Sequence, residues 1–138
     1  MNTAHTTSPA SRKHPRATIE EPGVITVREW NRRAPARRLQ VTIRSISHEG
    51  VGLALADGRG TLDRRANATL DFKVGGRRFE IPGSIVWVAG PSAPPGPLDV
   101  GVRFVLAAVT SETREAYARW VLGLLDRQGV RMQPPDQR

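Results

Sequence analysis

The sequence predicts an all-β domain, a small antiparallel barrel of six or so short strands with one amphipathic helix at its C-terminal end. Apolar and polar residues alternate with period two in several short segments, which are separated by Gly-Gly, Asp-Gly and proline-rich signals. Only the stretch after Thr110 turns to a helical period, so the strands must cover one another and share a single helix. A chain of 138 residues supports one core of ordinary size.

Residues 1 to about 15 are rich in Thr, Ser, Pro and charge and offer almost nothing to bury. Residues 1–11 are accordingly expected to be a flexible arm, 12–126 the domain and 127–138 a flexible tail. Ile19, Val24, Ile25 and Val27 mark a first extended segment, which Pro22-Gly23 interrupts as a turn or a bulge. Leu39 to Arg44 alternates strictly, putting Leu39, Val41 and Ile43 on one face. Val51 to Leu55 forms the next strand and stops at Asp57-Gly58, a strong turn signal.

Ala68 to Val74 alternates again, and Gly75-Gly76 links it to Arg77–Ile81 as a tight hairpin whose central residues both take positive φ. The second arm continues past Pro82-Gly83 to Val88, with the proline implying an edge or a kink. After a loop with four prolines, Leu98, Val100, Val102 and Phe104 give the last strand. Thr110 or Ser111 then caps a helix in which Tyr117, Trp120, Val121, Leu124 and Leu125 form one apolar stripe.

Composition narrows the function. No apolar run is long enough to span a membrane, and Met1 to Arg16 lacks the apolar segment of a secretion signal, so a cytoplasmic protein is expected. The chain has no cysteine, and His5, His14 and His48 are scattered, which leaves no metal site and no thiol nucleophile. Ser45 and Ser47 lie near His48 but in no Gly-x-Ser-x-Gly elbow, and no glycine-rich nucleotide motif is present, so the expectation is a protein that is not an enzyme. The three tryptophans, Trp30, Trp87 and Trp120, read as core or rim anchors.

A net charge of +8 draws anions, and all basic residues but Lys13 and Lys73 are arginines, the side chain suited to bidentate contact with phosphate or the O6/N7 edge of guanine. Arg-x-x-x-Arg occurs at Arg12/Arg16, Arg28/Arg32, Arg33/Arg37 and Arg127/Arg131, and about two or three such pairs arise by chance at this arginine content. Spacing alone selects none of them. Arg12/Arg16 stands apart by its place at the junction of arm and first strand, where Pro15 keeps the link extended. Ser45-Ile46-Ser47-His48-Glu49-Gly50 offers hydroxyls at a turn, where Gly50 permits positive φ or close approach of a ligand to the backbone.

These two segments and the strand order resemble the PilZ domain family, whose usual pattern is Arg-x-x-x-Arg followed about thirty residues later by Asp/Asn-x-Ser-x-x-Gly. The resemblance spans about residues 10 to 126 and includes Ile85-Val86-Trp87 and Gly101-Val102-Arg103-Phe104. It implies a six-stranded barrel with a C-terminal helix that binds cyclic di-GMP and passes the signal to an effector protein, with no cofactor beyond that ligand. Carried over by residue, it implies that Arg12 and Arg16 stack on the guanines and meet the phosphates, that Ser45 and Ser47 offer hydroxyls, and that Gly50 holds the turn. Ser45 departs from the pattern, since the family has Asp or Asn there. Loss of one such hydrogen bond costs about 0.5–1.5 kcal/mol. Two other readings stand beside the receptor: a related interaction module that binds no nucleotide, and a nucleic-acid-binding barrel using Arg28 to Arg38.

Overall fold

The computed structural model describes residues 15–28, 35–55, 65–90 and 98–130. Six strands, β1 (Ala17–Arg28), β2 (Arg37–Ile46), β3 (Gly50–Leu55), β4 (Asn67–Val74), β5 (Arg77–Ala89) and β6 (Leu98–Phe104), precede one helix, α1 (Ser111–Arg127). The strands close into a barrel in the order β1-β2-β3-β6-β5-β4, and every neighbouring pair is antiparallel. Closure removes free sheet edges.

The alternation seen in the sequence sets the inside of the barrel. Ile25 and Val27 of β1, Val41 and Ile43 of β2, and Leu70 and Phe72 of β4 are buried, while Leu39 is only partly covered. Gly75 and Gly76 take φ of 57° and 78°, so the β4–β5 link is the tight turn that two positive-φ residues allow. Both prolines lie inside strands and break neither. Pro22 pairs with Thr42 on β2 and lies one residue outside the β1–β4 ladder, which begins at Gly23. Pro82 pairs with Thr69 on β4 and lies one residue outside the β5–β6 ladder, which begins at Gly83. Each proline therefore sits where one side of its strand has no ladder, and its missing N–H costs little. The irregularity expected at Pro22-Gly23 falls earlier, between Thr18 and Glu21.

Thr110 caps α1, its side-chain oxygen accepting from the Thr113 N–H at 3.1 Å. The helix ends in a Schellman arrangement. Gly129, at φ 71°, donates to the Asp126 carbonyl, and Val130 donates to that of Leu125. Arg127 thus closes the helix and Gln128 to Val130 form its cap. Tyr117, Val121 and Leu125 are buried, with Trp120 and Leu124 packed beside them. Tyr117 meets Phe79 and Phe104 edge-on at 5.8 and 5.5 Å, and Trp120 lies 5.8 Å from Phe72, so the helix is seated on an aromatic cluster.

Two hydrogen-bonded contacts fix the helix to the barrel. The Tyr117 hydroxyl donates to the Ser47 carbonyl at 2.6 Å in a buried setting. The Gln128 amide brackets Thr18, accepting from its N–H at 2.9 Å and donating to its carbonyl at 2.5 Å. Thr18 precedes the point where β4 joins β1, so Gln128 supplies the bonds that a neighbouring strand would.

Burial pushes the Tyr117 phenol well above its usual range, against a smaller opposing pull from the Arg16 guanidinium. The proton held in the folded state is lost in the unfolded chain above about pH 10, so stability should fall as pH rises beyond that point. Tyr117 is the chain's one tyrosine, so phenolate absorbance should appear only together with unfolding. In Tyr117→Phe the alkaline loss should flatten, and stability at neutral pH should drop by about 1–3 kcal/mol through the unsatisfied Ser47 carbonyl, as measured by denaturant unfolding.

Candidate functional site

One row of residues crosses five of the six strands. Thr18 of β1 pairs with Ser45 of β2, Ser45 with Gly52 of β3, Gly52 with Gly101 of β6, and Gly101 with Trp87 of β5. Register irregularities border this row on three strands, between Thr18 and Glu21, between Ile43 and Ser45, and between Ile85 and Trp87. Each extra residue reverses the side-chain alternation beyond it. Ile43 and Ile46 are both fully buried, and the residue inserted between them, Arg44, lets Ser45 turn outward. On β5 the inserted Val86 does the same for Trp87, which is 39 % exposed although Ile85 is buried.

The outward side of the row is a floor between two walls. Arg16, just ahead of β1, donates from Nη1 to Ser45 Oγ at 3.1 Å. A Cβ on Gly52 would lie 2.6 Å from Ser45 Oγ and 3.9 Å from Arg16 Nη1, so any side chain there would strike the hydroxyl beneath the guanidinium. A Cβ on Gly101 would run into the Trp87 indole, which lies directly against this glycine. Gly52 and Gly101 are paired neighbours. Both glycines are buried, Gly52 beneath the Ser45 hydroxyl and Arg16 and Gly101 beneath the Trp87 indole, so the row shows a fixed guanidinium at one end and a partly exposed indole at the other. A flat aromatic ligand can stack on the outer face of the indole or on the guanidinium plane and receive charge-assisted hydrogen bonds from Arg16.

The remaining expected site residues have other roles in this geometry. Ser47 is only 1 % exposed. Its Oγ donates to the Gly50 carbonyl and accepts from the Glu49 N–H, each at 3.3 Å, and its own N–H also bonds Gly50 O at 2.9 Å. The hydroxyl expected to face a ligand thus closes the β2–β3 turn from inside. Gly50 is not among the positive-φ glycines of the described residues. Its lack of a side chain instead admits β6, since a Cβ would collide with the Val102 carbonyl. Glu49 accepts from the Phe104 N–H at 2.8 Å beside it. Arg12 lies outside the described residues, as does Trp30.

The family model described as PilZ domain matches residues 10–123. The chain belongs to the PilZ domain family. No curated protein matches the sequence. Among solved structures, the PilZ domain is similar to the "PilZ domain with c-di-GMP of YcgR from Escherichia coli", at 14 % identity and TM-score 0.62, covering 86 % of this chain and 94 % of that one. It is also similar to the Bacillus subtilis inhibitor of motility MotI/DgrA, at 13 % identity and TM-score 0.62, covering 88 % of this chain and 53 % of that one. A third similar structure, the MrkH–c-di-GMP complex of K. pneumonia, has 15 % identity and TM-score 0.62, covering 86 % of this chain and 54 % of that one. The PilZ domain thus spans about half the length of these last two chains.

Sequence reasoning missed Trp87, Gly52 and Gly101 as parts of one surface. A signal for the glycines was present, because each stands alone in an apolar strand, where Gly marks a close approach or a bulge. Nothing local marks Trp87, whose outward turn depends on the Val86 bulge. Among the described residues no group of three or more acidic or His side chains could hold a metal ion, and no helix is long and apolar enough to cross a membrane.

Because the Val102 carbonyl occupies the space of a side chain at residue 50, Gly50→Ala must push β3 from β6. Overpacking of this kind costs about 1–3 kcal/mol. Denaturant unfolding should show that loss, whereas Gly76→Ser, in open space at the hairpin, should cost less through φ strain alone.

Proposed function

We propose that this PilZ domain is a receptor for cyclic di-GMP, acts in the cytoplasm, and works by contact with an effector protein rather than by catalysis. One observation carries the reading: an anchored guanidinium and a partly exposed indole stand at the two ends of one row on the outer barrel face, each over a glycine. The similar folds of the YcgR PilZ domain with c-di-GMP and of the MrkH–c-di-GMP complex support it.

In this reading Arg16 meets a phosphate and one guanine edge, and Arg12 closes over the dinucleotide from the N-terminal side. Ser45 acts through Arg16, accepting from its Nη1 and so holding the guanidinium in place beside the ligand. Ser47 and Gly50 keep the turn under the ligand in shape and leave its contacts to backbone groups. A guanine base stacks on the outer face of the Trp87 indole, whose inner side covers Gly101. Binding orders the residues carrying Arg12 on the barrel and changes the surface shown to the effector.

Ser45 favours a second reading, a PilZ module that works by protein contact without nucleotide, because a neutral hydroxyl holds Arg16 less firmly than a carboxylate would. Calorimetry separates the two. Cyclic di-GMP titrated into the full chain should give saturable heat at tens of micromolar protein. Arg16→Ala should weaken binding about 10- to 100-fold, the value of a lost charge-assisted contact. Ser45→Asp should strengthen it. Absence of heat from the wild-type protein would leave the contact module, and unchanged affinity in Arg12→Ala/Arg16→Ala would move the site elsewhere.

A further inference from the structure

We propose that a second face of the barrel, made by β1, β2, β4 and β5, docks an extended acidic segment of a partner protein. The observation behind it is a concavity of about 510 Å³ lined by Thr26, Arg28, Arg38, Thr69, Asp71 and Arg78, among others. On β1 it lies at Thr26 and Arg28, eight to ten residues along the strand from Thr18, so it shares no residue with the row between Arg16 and Trp87.

Register arranges its charges in lines. Arg38 pairs with Thr26, and Thr26 with Thr69, so a guanidinium stands beside a floor of two hydroxyls. Arg28 is two residues from Thr26 on the same side of β1, which makes Arg28 and Arg38 diagonal neighbours about 7–8 Å apart at the backbone. Neither side chain has a hydrogen bond or close ion pair with another described residue, and Arg38 feels the Asp71 carboxylate only at longer range. Across the floor, Arg78 grips Asp71 through both carboxylate oxygens, and Glu80 stands next to Asp71 in register.

This pattern selects the occupant. An extended peptide places alternate side chains about 6.8 Å apart, so carboxylates at positions i and i+2 match the diagonal pair Arg28 and Arg38. Its intervening backbone faces Thr26 and Thr69, which both donate and accept. Asp71 and Glu80 on the far side repel a phosphate chain, and a continuous nucleic-acid track therefore fits poorly. They accept a basic or neutral residue on a partner that follows the acidic pair, and such alternation sets register. The shallow, exposed lining also lacks the enclosure that a small ligand needs.

The test uses amide NMR shifts of the full chain with a synthetic ten-residue peptide of alternating Glu and Thr. Shifts should concentrate at Thr26, Arg28, Arg38 and Thr69. Affinity should fall at least about tenfold in Arg28→Gln/Arg38→Gln, stay within about twofold in the charge-matched Arg119→Gln/Arg127→Gln, and be unchanged in Arg16→Ala. Equal loss in the two double variants would overturn the proposal, because net charge alone would then explain binding. So would shifts scattered over the surface, or displacement of the peptide from these residues by a thymidine oligonucleotide at about 150 mM salt. Spectral dispersion in each variant verifies that the exposed substitutions leave the fold intact.

Discussion

A strand that keeps its alternation strictly can never turn two successive inward positions apart, so the outer surface of a small barrel receives only every second residue. This domain escapes that constraint three times along one line. Arg44 and Val86 are the extra residues at two register shifts, and the stretch from Thr18 to Glu21 carries a further irregularity. As a result Ile43, Ile46 and Ile85 stay in the core, while Ser45 and Trp87 emerge beside the paired glycines 52 and 101. Everything at the candidate site depends on this offset. Without the bulge at Arg44, the hydroxyl that holds Arg16 would point into the core, and an apolar side chain would face solvent in its place.

The bulged region would be a weak point in the barrel if nothing supported it. Support comes from α1, which reaches it twice. Tyr117 ties the helix to the carbonyl of Ser47 in the turn, and Gln128 brackets Thr18 where β1 has no β4 neighbour. Both contacts join residues that are far apart in the chain, and both touch backbone within two residues of a site side chain. The helix thus fixes the geometry of Arg16 and Ser45 from beneath. Its own seat on Phe72, Phe79 and Phe104 is rigid enough to serve as that reference.

Much of the fold is legible because period-two alternation and turn chemistry are local. Gly75-Gly76, the Thr110 cap and the stripe through Tyr117, Val121 and Leu125 all act where the sequence displays them. Prolines 22 and 82 mislead because their cost depends on ladder ends contributed by other strands. The site was half legible for the same reason. Arg16 and Ser45 stand out as residue types, and the structure brings them into contact. Ser47 and Gly50 also stand out, but their work is internal, set by the nearness of β6 that no local pattern announces. Nothing in the sequence marks the bulge that turns Trp87 outward.

Bound as proposed, cyclic di-GMP would lay one base on the outer face of the Trp87 indole. The most direct measurement follows the indole Nε1–H resonance of Trp87, assigned through Trp87→Phe, while cyclic di-GMP is added to the full chain. A saturable shift of this resonance is expected, and it should disappear in Arg16→Ala at the same ligand concentration. Saturable binding with the Trp87 resonance unmoved would contradict this placement.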